Sequence, residues 1–543
     1  MAEAEAIGAA VDVDTVDDAV PSEFPAGNAQ AEQEARAQRR YSATLARWVS
    51  AMKVLRPDLV RSIFAYQALS FMGSALRGGG VRKLQRLHRR SRATESIDEF
   101  WTHSWQLGPT QKFLCLLFLK NGLPASVAGT LAACIPFFLM YYGYLSDAYR
   151  PAWHPEPGQI PYFCTAAGTV TSVLTLFLWP SRAKVFLDVC CIDQVDAQKK
   201  AEGIASLAGI LKQSKRLLVL WDHTYIERLW CVFEVAAFLH RSGKPRAVIR
   251  PTLLGPAAMV AWAAIPIIGF FWTLLYSWPE KNQLYNVYVV QVFFYVTFYW
   301  ATAVMRAYHH SVEIFHRQLR SFRLEDTKCR CCTVNHVAED GTVLPCDRQI
   351  VERCIRNWFG SVQQFEEFAA PLLRSTFDQQ LGQDMFPYGY FLMIFCPILW
   401  AGLDTSIGTC WPCTKSAAEG DRQWFAYFLC YFLGLWLGVM PTTAKVGLYL
   451  MNRFSAPRRY LVCDVLLNLM IVTVMNLVWG VFLQVGVVFN DNDPRILREV
   501  IRDSYTRSAL LCVTFVMPAV LLFGLPELLR LCRSHHPIAR AAV

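Results

Sequence analysis

Long apolar runs without charges recur along the chain and predict helices that cross a membrane. Such a helix needs about 20 mostly apolar residues, since its backbone polar groups must find their partners within the helix. Eight stretches meet this requirement: Pro124 to Leu145, Ile160 to Trp179, Ala257 to Tyr276, Val287 to Met305, Phe386 to Leu403, Trp424 to Pro441, Leu461 to Phe489 and Ala509 to Leu525. The pattern therefore predicts an α-helical polytopic membrane protein with about eight transmembrane helices and the lipid bilayer as a partner.

A different pattern occupies residues 183–251, where short apolar runs of strand length alternate with helical patterns. The strand candidates are Lys184 to Leu187, Arg216 to Trp221 and Ala247 to Arg250. The helix candidates are Glu202 to Ser214 and Arg228 to His240. This alternation is typical of a parallel sheet with crossover helices. We therefore expect a small α/β parallel-sheet domain here.

The two ends of the chain have opposite charge. Residues 1–35 are acidic and small and are expected to be disordered, because they cannot bury enough apolar surface to offset chain entropy. Residues 36–92 are basic, and apolar positions between Leu45 and Phe64 recur at helical spacing. A basic amphipathic helix can dock on an anionic membrane surface. The alternatives are a solvated helix and a helix that binds a specific protein. Residues 526–543 form a basic tail.

The arrangement of the predicted spans indicates the orientation of the chain. An even number places both termini on one side, together with segments 180–256, 306–385 and 442–460, which leaves four short links opposite. Arginines and lysines are frequent in 442–460 and in the tail but sparse in the first three links, so the positive-inside rule puts the termini in the cytosol. The last link, Asn490 to Ser508, contains four arginines and is an exception.

Composition supports the membrane assignment and narrows the partners. Apolar residues make up 54% of the chain and charged residues 18%, whereas ordinary soluble domains have roughly 45–50% and about 25%. The net charge of +10 is spread over a membrane protein. We therefore expect no nucleic-acid partner.

Polar side chains follow the strands predicted within 183–251. In a parallel sheet, functional groups gather at the carboxyl ends of the strands. In this chain that edge collects Asp188, Cys190, Cys191, Asp193, Gln194, Asp222 and Tyr225.

Two motifs in this segment resemble known families. FLDVCCIDQ (Phe186 to Gln194) and RLWCVFE (Arg228 to Glu234) resemble the fungal heterokaryon-incompatibility domain. YIERLWCVFEVAAF (Tyr225 to Phe238) resembles the Toll/interleukin-1-receptor domain, in which Tyr-…-Trp-Cys-x-x-Glu opens a helix. Taken whole, the chain is similar to an uncharacterised family of multi-pass membrane proteins of dinoflagellate algae. The domain-level resemblance covers about 60 residues.

An upstream segment extends the resemblance. EFWTHSW (Glu99 to Trp105) is similar to the opening strand of Toll-type domains, and Lys112 to Asn121 would be the first helix. Residues 93–122 would then be the first part of the α/β domain, with the spans in 124–179 inserted before 183–251. A transmembrane hairpin returns the chain to the same side, so this split is physically possible.

The resemblance implies two functions. NAD-cleaving Toll-type domains make Glu234 the candidate catalytic carboxylate, which would stabilise positive charge developing on the ribose, with NAD as the substrate. The corresponding pocket would draw on Trp101, His103, Asp188, Asp193, Gln194, Asp222, Tyr225 and Trp230. In the other function, the fold self-associates or binds a cytosolic protein. A structural role for Glu234, in which it pairs with Arg228 or caps a strand, is the third possibility. We assign no chemistry to Cys190 and Cys191.

Segment 306–385 is rich in cysteine and contains Cys329, Cys331, Cys332, His336, Cys346 and Cys354. A cytosolic location argues against stable disulfides. Thiolate and imidazole groups at this spacing suit a tetrahedral zinc site, with Cys329, Cys332, His336 and Cys346 as the ligands. Plain reduced cysteines and redox sensing are the alternatives. Residues 348–377 are expected to form a helix pair.

A channel or transporter is the rival function from another class. Transport sites usually place ionisable residues inside the spans, and the eight predicted spans contain almost none. The polar positions Gln291, Asn468, Asn476 and Gln484 suit hydrogen bonding between helices. The sequence thus favours a cytosolic signalling or scaffolding domain acting by protein–protein interaction, with NAD cleavage and transport as alternatives.

Overall fold

The computed structural model describes residue 40 and residues 42–105, 108–145, 162–240, 247–276, 283–337, 346–377, 386–408, 419–489 and 503–524. The chain divides into two compact units. We call Met1–Leu116, Pro180–Leu254 and Ile314–Met385 the sheet unit, and Leu117–Trp179, Gly255–Glu313 and Phe386–Val543 the helical unit. The predicted acidic segment 1–35 and basic tail 526–543 lie outside the described residues, as does most of the arginine-containing link after residue 489.

The core of the sheet unit is a six-stranded mixed sheet with the order β2-β1-β4-β3-β5-β6. Its strands are β1 (Arg61–Phe64), β2 (Arg92–Ala93), β3 (Ile97–His103), β4 (Lys184–Phe186), β5 (Ser214–Trp221) and β6 (Ala247–Pro251). The pairs β3–β4, β3–β5 and β5–β6 are parallel. β1 pairs antiparallel with both β2 and β4. The parallel part contains the strands predicted within 183–251 and the strand expected upstream of the first span.

Helices make up most of the described chain. They are α1 (residues 42–50), α2 (Ala65–Gly73), α3 (Val81–His88), α4 (Pro109–Tyr141), α5 (Phe163–Leu178), α6 (Asp188–Cys191), α7 (Ala197–Ala205), α8 (Leu207–Gln213), α9 (Leu229–His240), α10 (Leu254–Tyr276), α11 (Gln283–Arg320), α12 (Arg330–Thr333), α13 (Asp347–Phe359), α14 (Val362–Phe377), α15 (Tyr388–Gly408), α16 (Glu419–Gly434), α17 (Met440–Arg453), α18 (Leu461–Phe489) and α19 (Ser504–Ala519). Short 3₁₀ helices occur at Pro57–Leu59, Ser74–Arg77 and Leu324–Asp326, and π-helical segments at Leu435–Val439 and Val520–Gly524.

Apolar packing and caps explain the local structure of the sheet unit. The rings of Phe100 on β3 and Phe186 on β4 stack with their centroids 4.6 Å apart. Helix α9 buries Val232, Phe233 and most of its other residues. The carboxylate of Asp196 accepts a hydrogen bond from the Lys199 amide and caps α7, which satisfies an otherwise orphaned donor.

The structure corrects the prediction of one amphipathic helix across Leu45 to Phe64. Helix α1 ends at residue 50, and Ile63 and Phe64 belong to β1. Leu45, Ala46 and Val49 on α1 are buried in the sheet unit and Trp48 is half-buried. The Trp358 indole N–H on α13 donates to the Ser50 carbonyl over 2.8 Å. Packing within the unit thus uses the apolar face that membrane docking would need.

Five described helices are long and apolar enough to cross a membrane, judged by length and composition. They are Pro109–Tyr141, Tyr388–Gly408, Phe425–Arg453, Leu461–Phe482 and Ser504–Gly524. These correspond to the first, fifth, sixth, seventh and eighth predicted spans. The shorter apolar helices Phe163–Leu178 and Leu254–Gly269 and the helix α11 lie at the other three positions. The helix expected at Lys112 to Asn121 is continuous with the first of these helices as α4.

Close contacts between small residues and one tryptophan hold part of the helical unit together. A Cβ added at Gly168 on α5 would lie 2.6 Å from the Trp400 ring on α15, and one at Gly129 on α4 would meet the Gly168 carbonyl oxygen at 2.8 Å. Asp404, predicted to lie in a link, lies within α15, where its carboxylate accepts 2.8 Å hydrogen bonds from the Cys164 and Thr165 amides. Small residues let helices approach, and the carboxylate satisfies orphaned donors of α5.

A buried arginine links two further helices of the helical unit. Arg306 on α11 donates to the Asn468 amide oxygen over 2.6 Å and to the Asp464 carboxylate over 2.9 Å on α18. It also donates to the Phe454 carbonyl oxygen over 2.7 Å. Asn468 therefore serves as a hydrogen-bond partner between helices, as the sequence favoured.

Candidate functional site

The carboxyl ends of three parallel strands bring titratable side chains together in the sheet unit. His103 ends β3, Asp188 lies two residues beyond β4, and Asp222 follows β5. Helix α9 adds further groups, because Arg228 immediately precedes it and Glu234 lies in its second turn. We call the following set the carboxyl-edge cluster: His103, Lys112, Asp188, Asp222, Arg228 and Glu234.

Glu234 is held by hydrogen bonds inside the cluster. The hydroxyl of Thr102 donates to its carboxyl group and lies 2.8 Å from the hydroxyl of buried Tyr225. Although the residue as a whole is half-buried, its carboxyl group is enclosed by protein. Burial, reinforced by the charge of Asp188, raises the pKa of Glu234 to about 8, against the opposing effects of the Thr102 hydrogen bond and Arg228. Glu234 is therefore mostly protonated at neutral pH.

Asp188 lies beneath a partly exposed indole. Its carboxylate accepts hydrogen bonds from the Val189 amide over 2.7 Å and from the Trp105 indole over 3.2 Å. Burial raises the pKa of Asp188, while these hydrogen bonds and the charges of Arg228 and Lys112 act in the opposite direction. Since the Trp105 side chain is 37% exposed, this side of the cluster meets solvent.

His103 is a buried, neutral imidazole. Its ring centroid lies 4.6 Å from that of Trp105. Burial, together with the positive charges of Lys112 and Arg228, lowers the pKa of His103 to about 3. The buried Lys112 ammonium donates to the Ser104 carbonyl oxygen beside it.

Two buried polar atoms of the cluster have no hydrogen-bond partner among the described residues. They are Nε2 of His103 and Oδ2 of Asp222. The other oxygen of Asp222 accepts a 2.8 Å hydrogen bond from the Thr224 amide. An unsatisfied buried group costs about 1–3 kcal/mol, so these atoms are suited to a polar ligand or to water.

The remaining predicted pocket residues lie elsewhere or serve the fold. The Trp101 indole donates to Glu99 over 2.9 Å, and strand alternation puts both on the face of β3 opposite Thr102. The Asp193 carboxylate accepts from the Val195 and Asp196 amides and lies 4.0 Å from His88. The Gln194 amide donates to the Asp188 carbonyl oxygen over 3.3 Å, and the Trp230 indole donates to Asp347 over 3.1 Å.

Sequence reasoning did not single out Lys112, Thr102 or Trp105 as contributors to the cluster. The alternation of β3 places Thr102 on the face opposite Trp101 and His103, the two predicted pocket residues beside it, so the sequence alone did not indicate its contact with Glu234. Lys112 is one of two lysines in an otherwise uncharged helix, and the sequence does not show that it lies beside the end of β3.

The cysteines beside the cluster are not activated nucleophiles. Burial raises the pKa of Cys191 to about 12 and that of Cys190 well above its ordinary value. Since the thiolate is the reactive form, these groups are inert at neutral pH.

A second group of side chains in the sheet unit could hold a metal ion. The ligand atoms of Cys331, Cys332, His336 and Cys346 all lie within 4.8 Å of one another. Cys331 takes the place predicted for Cys329, whose sulfur forms a separate group with Cys331 and Asp347. Helix α12 carries Cys331 and Cys332, whereas Cys329 lies immediately before it.

The helical unit contains a cavity of about 810 Å³. Its wall is mostly apolar, formed by side chains such as those of Ala261, Ile265 and Phe395, with Asp404 and Asn476 among the few polar groups. Asp404 already accepts two backbone hydrogen bonds. The cavity is therefore suited to apolar groups rather than to ions.

Comparisons of the chain with protein-family models, with curated proteins and with solved structures found no match.

Proposed function

We propose that the chain is an integral membrane protein with eight spans, and that its termini and sheet unit lie in the cytosol. Support comes from the five helices of membrane length and from the apolar helices α5, α10 and α11 at the other three predicted positions. The distribution of arginine and lysine between the connecting segments supports the orientation.

We further propose that the sheet unit is a signalling or scaffolding domain that acts by binding protein, with a second copy of this chain as the partner. The observation that carries this proposal is an exposed apolar kink in α2. Phe71 is 75% exposed and Met72 53% exposed, and both have left-handed backbones with φ of 52° and 55°. Two neighbouring apolar side chains exposed on the surface are typical of a site that binds a partner rather than of a surface that faces only water.

The kink is maintained against its own conformational cost. Left-handed backbone costs a non-glycine residue roughly 1–3 kcal/mol and persists only where the surroundings enforce it. Arg90 supplies part of that support, since its guanidinium donates to the Ser70 hydroxyl over 3.2 Å and lies 5.4 Å from the Phe71 ring centroid. A strained surface held in place in this way favours a role in recognition.

Self-association of the full chain in detergent tests this role. We expect the wild type to form dimers or larger assemblies, and Phe71→Ser with Met72→Ser to shift it toward monomer by at least tenfold in the association constant, because the apolar contact is lost. Multi-angle light scattering after size exclusion measures the mass. Phe368→Ser, at a side chain that is 51% exposed in the same unit, is the matched control and should change nothing. A monomeric wild type at every concentration would contradict the proposal.

The state of Glu234 favours binding over catalysis. A carboxylate that stabilises positive charge on a ribose must be ionised, and Glu234 is mostly protonated at neutral pH because its pKa is about 8. Its carboxyl group is also engaged by Thr102. Glu234 is thus better suited to a hydrogen-bonding role inside the fold.

NAD cleavage is the second candidate, and the unpartnered His103 and Asp222 atoms favour it because they offer polar contacts to a ligand. We expect nicotinamide release at pH 7 by the detergent-purified chain to stay at the level of the Glu234→Gln variant. Chromatography of the released nicotinamide provides the measurement, with Glu227→Gln as the control at a carboxylate paired with Lys328. Rapid release that Glu234→Gln abolishes and Glu227→Gln preserves would make the sheet unit an NAD-cleaving hydrolase.

A further inference from the structure

Three sulfurs and one imidazole converge between α12 and the start of α13. The sulfur of Cys332 lies 3.9 Å from that of Cys331, 4.0 Å from that of Cys346 and 3.7 Å from Nε2 of His336. The Cys332 sulfur thus lies at nearly the same distance from the ligand atoms of Cys331, His336 and Cys346.

These separations match the edges of a tetrahedral zinc site. With Zn–S bonds of about 2.3 Å and Zn–N bonds of about 2.0–2.1 Å, tetrahedral geometry places two sulfurs about 3.8 Å apart and a sulfur and a nitrogen about 3.5 Å apart. The three distances from the Cys332 sulfur differ from these values by only a few tenths of an ångström, and all four ligand atoms lie within 4.8 Å of one another. We propose that Cys331, Cys332, His336 and Cys346 bind one structural zinc ion.

The chemistry of the donors selects the class of metal. Calcium and magnesium take oxygen ligands, whereas three thiolates and an imidazole form one of the common structural zinc sets. The Asp347 amide donates to the Cys331 sulfur over 3.3 Å, which is the kind of contact that orients and stabilises a thiolate ligand.

The backbone between the ligands is arranged to bring His336 back to the sulfurs. Asn335 and His336 both have left-handed backbones, with φ of 51° and 59°. The His336 amide donates to the Cys331 carbonyl oxygen over 2.7 Å, which closes the turn. Two consecutive non-glycine residues in this conformation cost roughly 1–3 kcal/mol each, a cost that metal coordination would offset.

The zinc ion would stabilise residues 328–347 against α9, the helix that carries Glu234. The Leu229 amide at the start of α9 donates to the Lys328 carbonyl oxygen over 3.2 Å. On the other side of the site, the carboxylate of Asp347 accepts from the Trp230 indole over 3.1 Å. Lys328 and Asp347 flank the four ligands in the sequence, so the proposed role is structural. By holding the ligands together, the ion would keep both contacts with the N-terminal end of α9 in place.

Metal analysis of the full chain, purified in detergent without chelators, tests the site. We expect about one zinc ion per chain by inductively coupled plasma mass spectrometry, and its loss in Cys332→Ser and Cys346→Ser. Cys354→Ser is the matched control, since this buried cysteine lies outside the four-ligand set and donates to the Ala46 carbonyl oxygen. Retention of zinc by both ligand variants, or its absence from the wild type, would overturn the proposal.

Cobalt substitution keeps the test decisive if a ligand variant fails to fold. Wild-type chain stripped of metal and reloaded with Co²⁺ should show the absorption of tetrahedral cobalt with thiolate charge-transfer bands, and Zn²⁺ should displace it. Comparison of Cys331→Ser with Cys329→Ser identifies the third sulfur. The first should weaken the thiolate bands, because one of three thiolate ligands is removed, and the second should leave them unchanged. Loss only in Cys329→Ser, or octahedral cobalt in the wild type, would refute the proposed ligand set.

Discussion

At the scale of single residues, Glu234 shows how its surroundings decide what a carboxyl group does. The same side chain serves as a catalytic carboxylate when it is ionised and faces a substrate, and as an internal hydrogen-bonding group when it is enclosed. Here the enclosure dominates, because burial outweighs both the Thr102 hydrogen bond and the charge of Arg228. The motif around Glu234 can be recognised in the sequence, but its protonation cannot.

This protonation predicts a particular pH dependence of stability. The pKa of Glu234 is raised from 4.5 to about 8 in the folded protein, so between these pH values the folded chain holds a proton that the unfolded chain has released. The contribution of Glu234 to the free energy of unfolding is therefore fully present below pH 4.5 and is lost as the pH rises toward 8. Each unit of pKa corresponds to about 1.4 kcal/mol, so the loss should reach a few kcal/mol.

Thermal unfolding of wild type and Glu234→Gln between pH 5 and pH 8.5 measures this effect. Glutamine stays neutral throughout this range. We therefore expect the melting temperature of the variant, relative to that of the wild type, to increase steadily as the pH rises. The comparison depends on the change with pH rather than on any constant offset from the substitution. Melting curves that keep the same separation over this range would show that Glu234 ionises in its ordinary way.

At the scale of elements, the parallel strands could be predicted because their apolar runs are short and bounded by polar residues. Strands β4 to β6 have this form, whereas β3 contains Asp98 and Glu99 and was expected only from the resemblance to Toll-type domains. Together these strands assemble the edge at which His103, Asp188 and Asp222 meet. Strand β1 was missed, since Ile63 and Phe64 also continue a helical spacing that begins in α1. The spacing of apolar residues alone does not distinguish a four-residue strand from the end of a helix.

The metal ligands show a limit of a different kind. Spacing predicted Cys332, His336 and Cys346 as ligands of the proposed zinc ion, but the choice between Cys329 and Cys331 as the fourth depends on where α12 begins. It also depends on the left-handed turn at Asn335 and His336. The sequence does not predict the left-handed turn, because neither Asn335 nor His336 is a glycine, and it does not mark where α12 begins.

At the scale of the whole molecule, the hydropathy pattern accounts for the alternation of the chain between two units. The sheet unit is assembled from three separate segments, and the helical unit takes the apolar runs between and after them. A helix pair that crosses the bilayer returns the chain to the side from which it left, which makes an interrupted soluble domain compatible with a single sheet. The account therefore depends on α10 crossing the membrane and on the sheet unit facing the cytosol.

Protease accessibility in sealed vesicles with the cytosolic face outward is the most direct measurement of this claim. One cleavage site is inserted within residues 241–246, between α9 and β6, and another within residues 277–282, after α10. We predict cleavage of the first site in intact vesicles and of the second only after permeabilisation. Cleavage of both sites from outside, or protection of the first, would contradict the proposed topology.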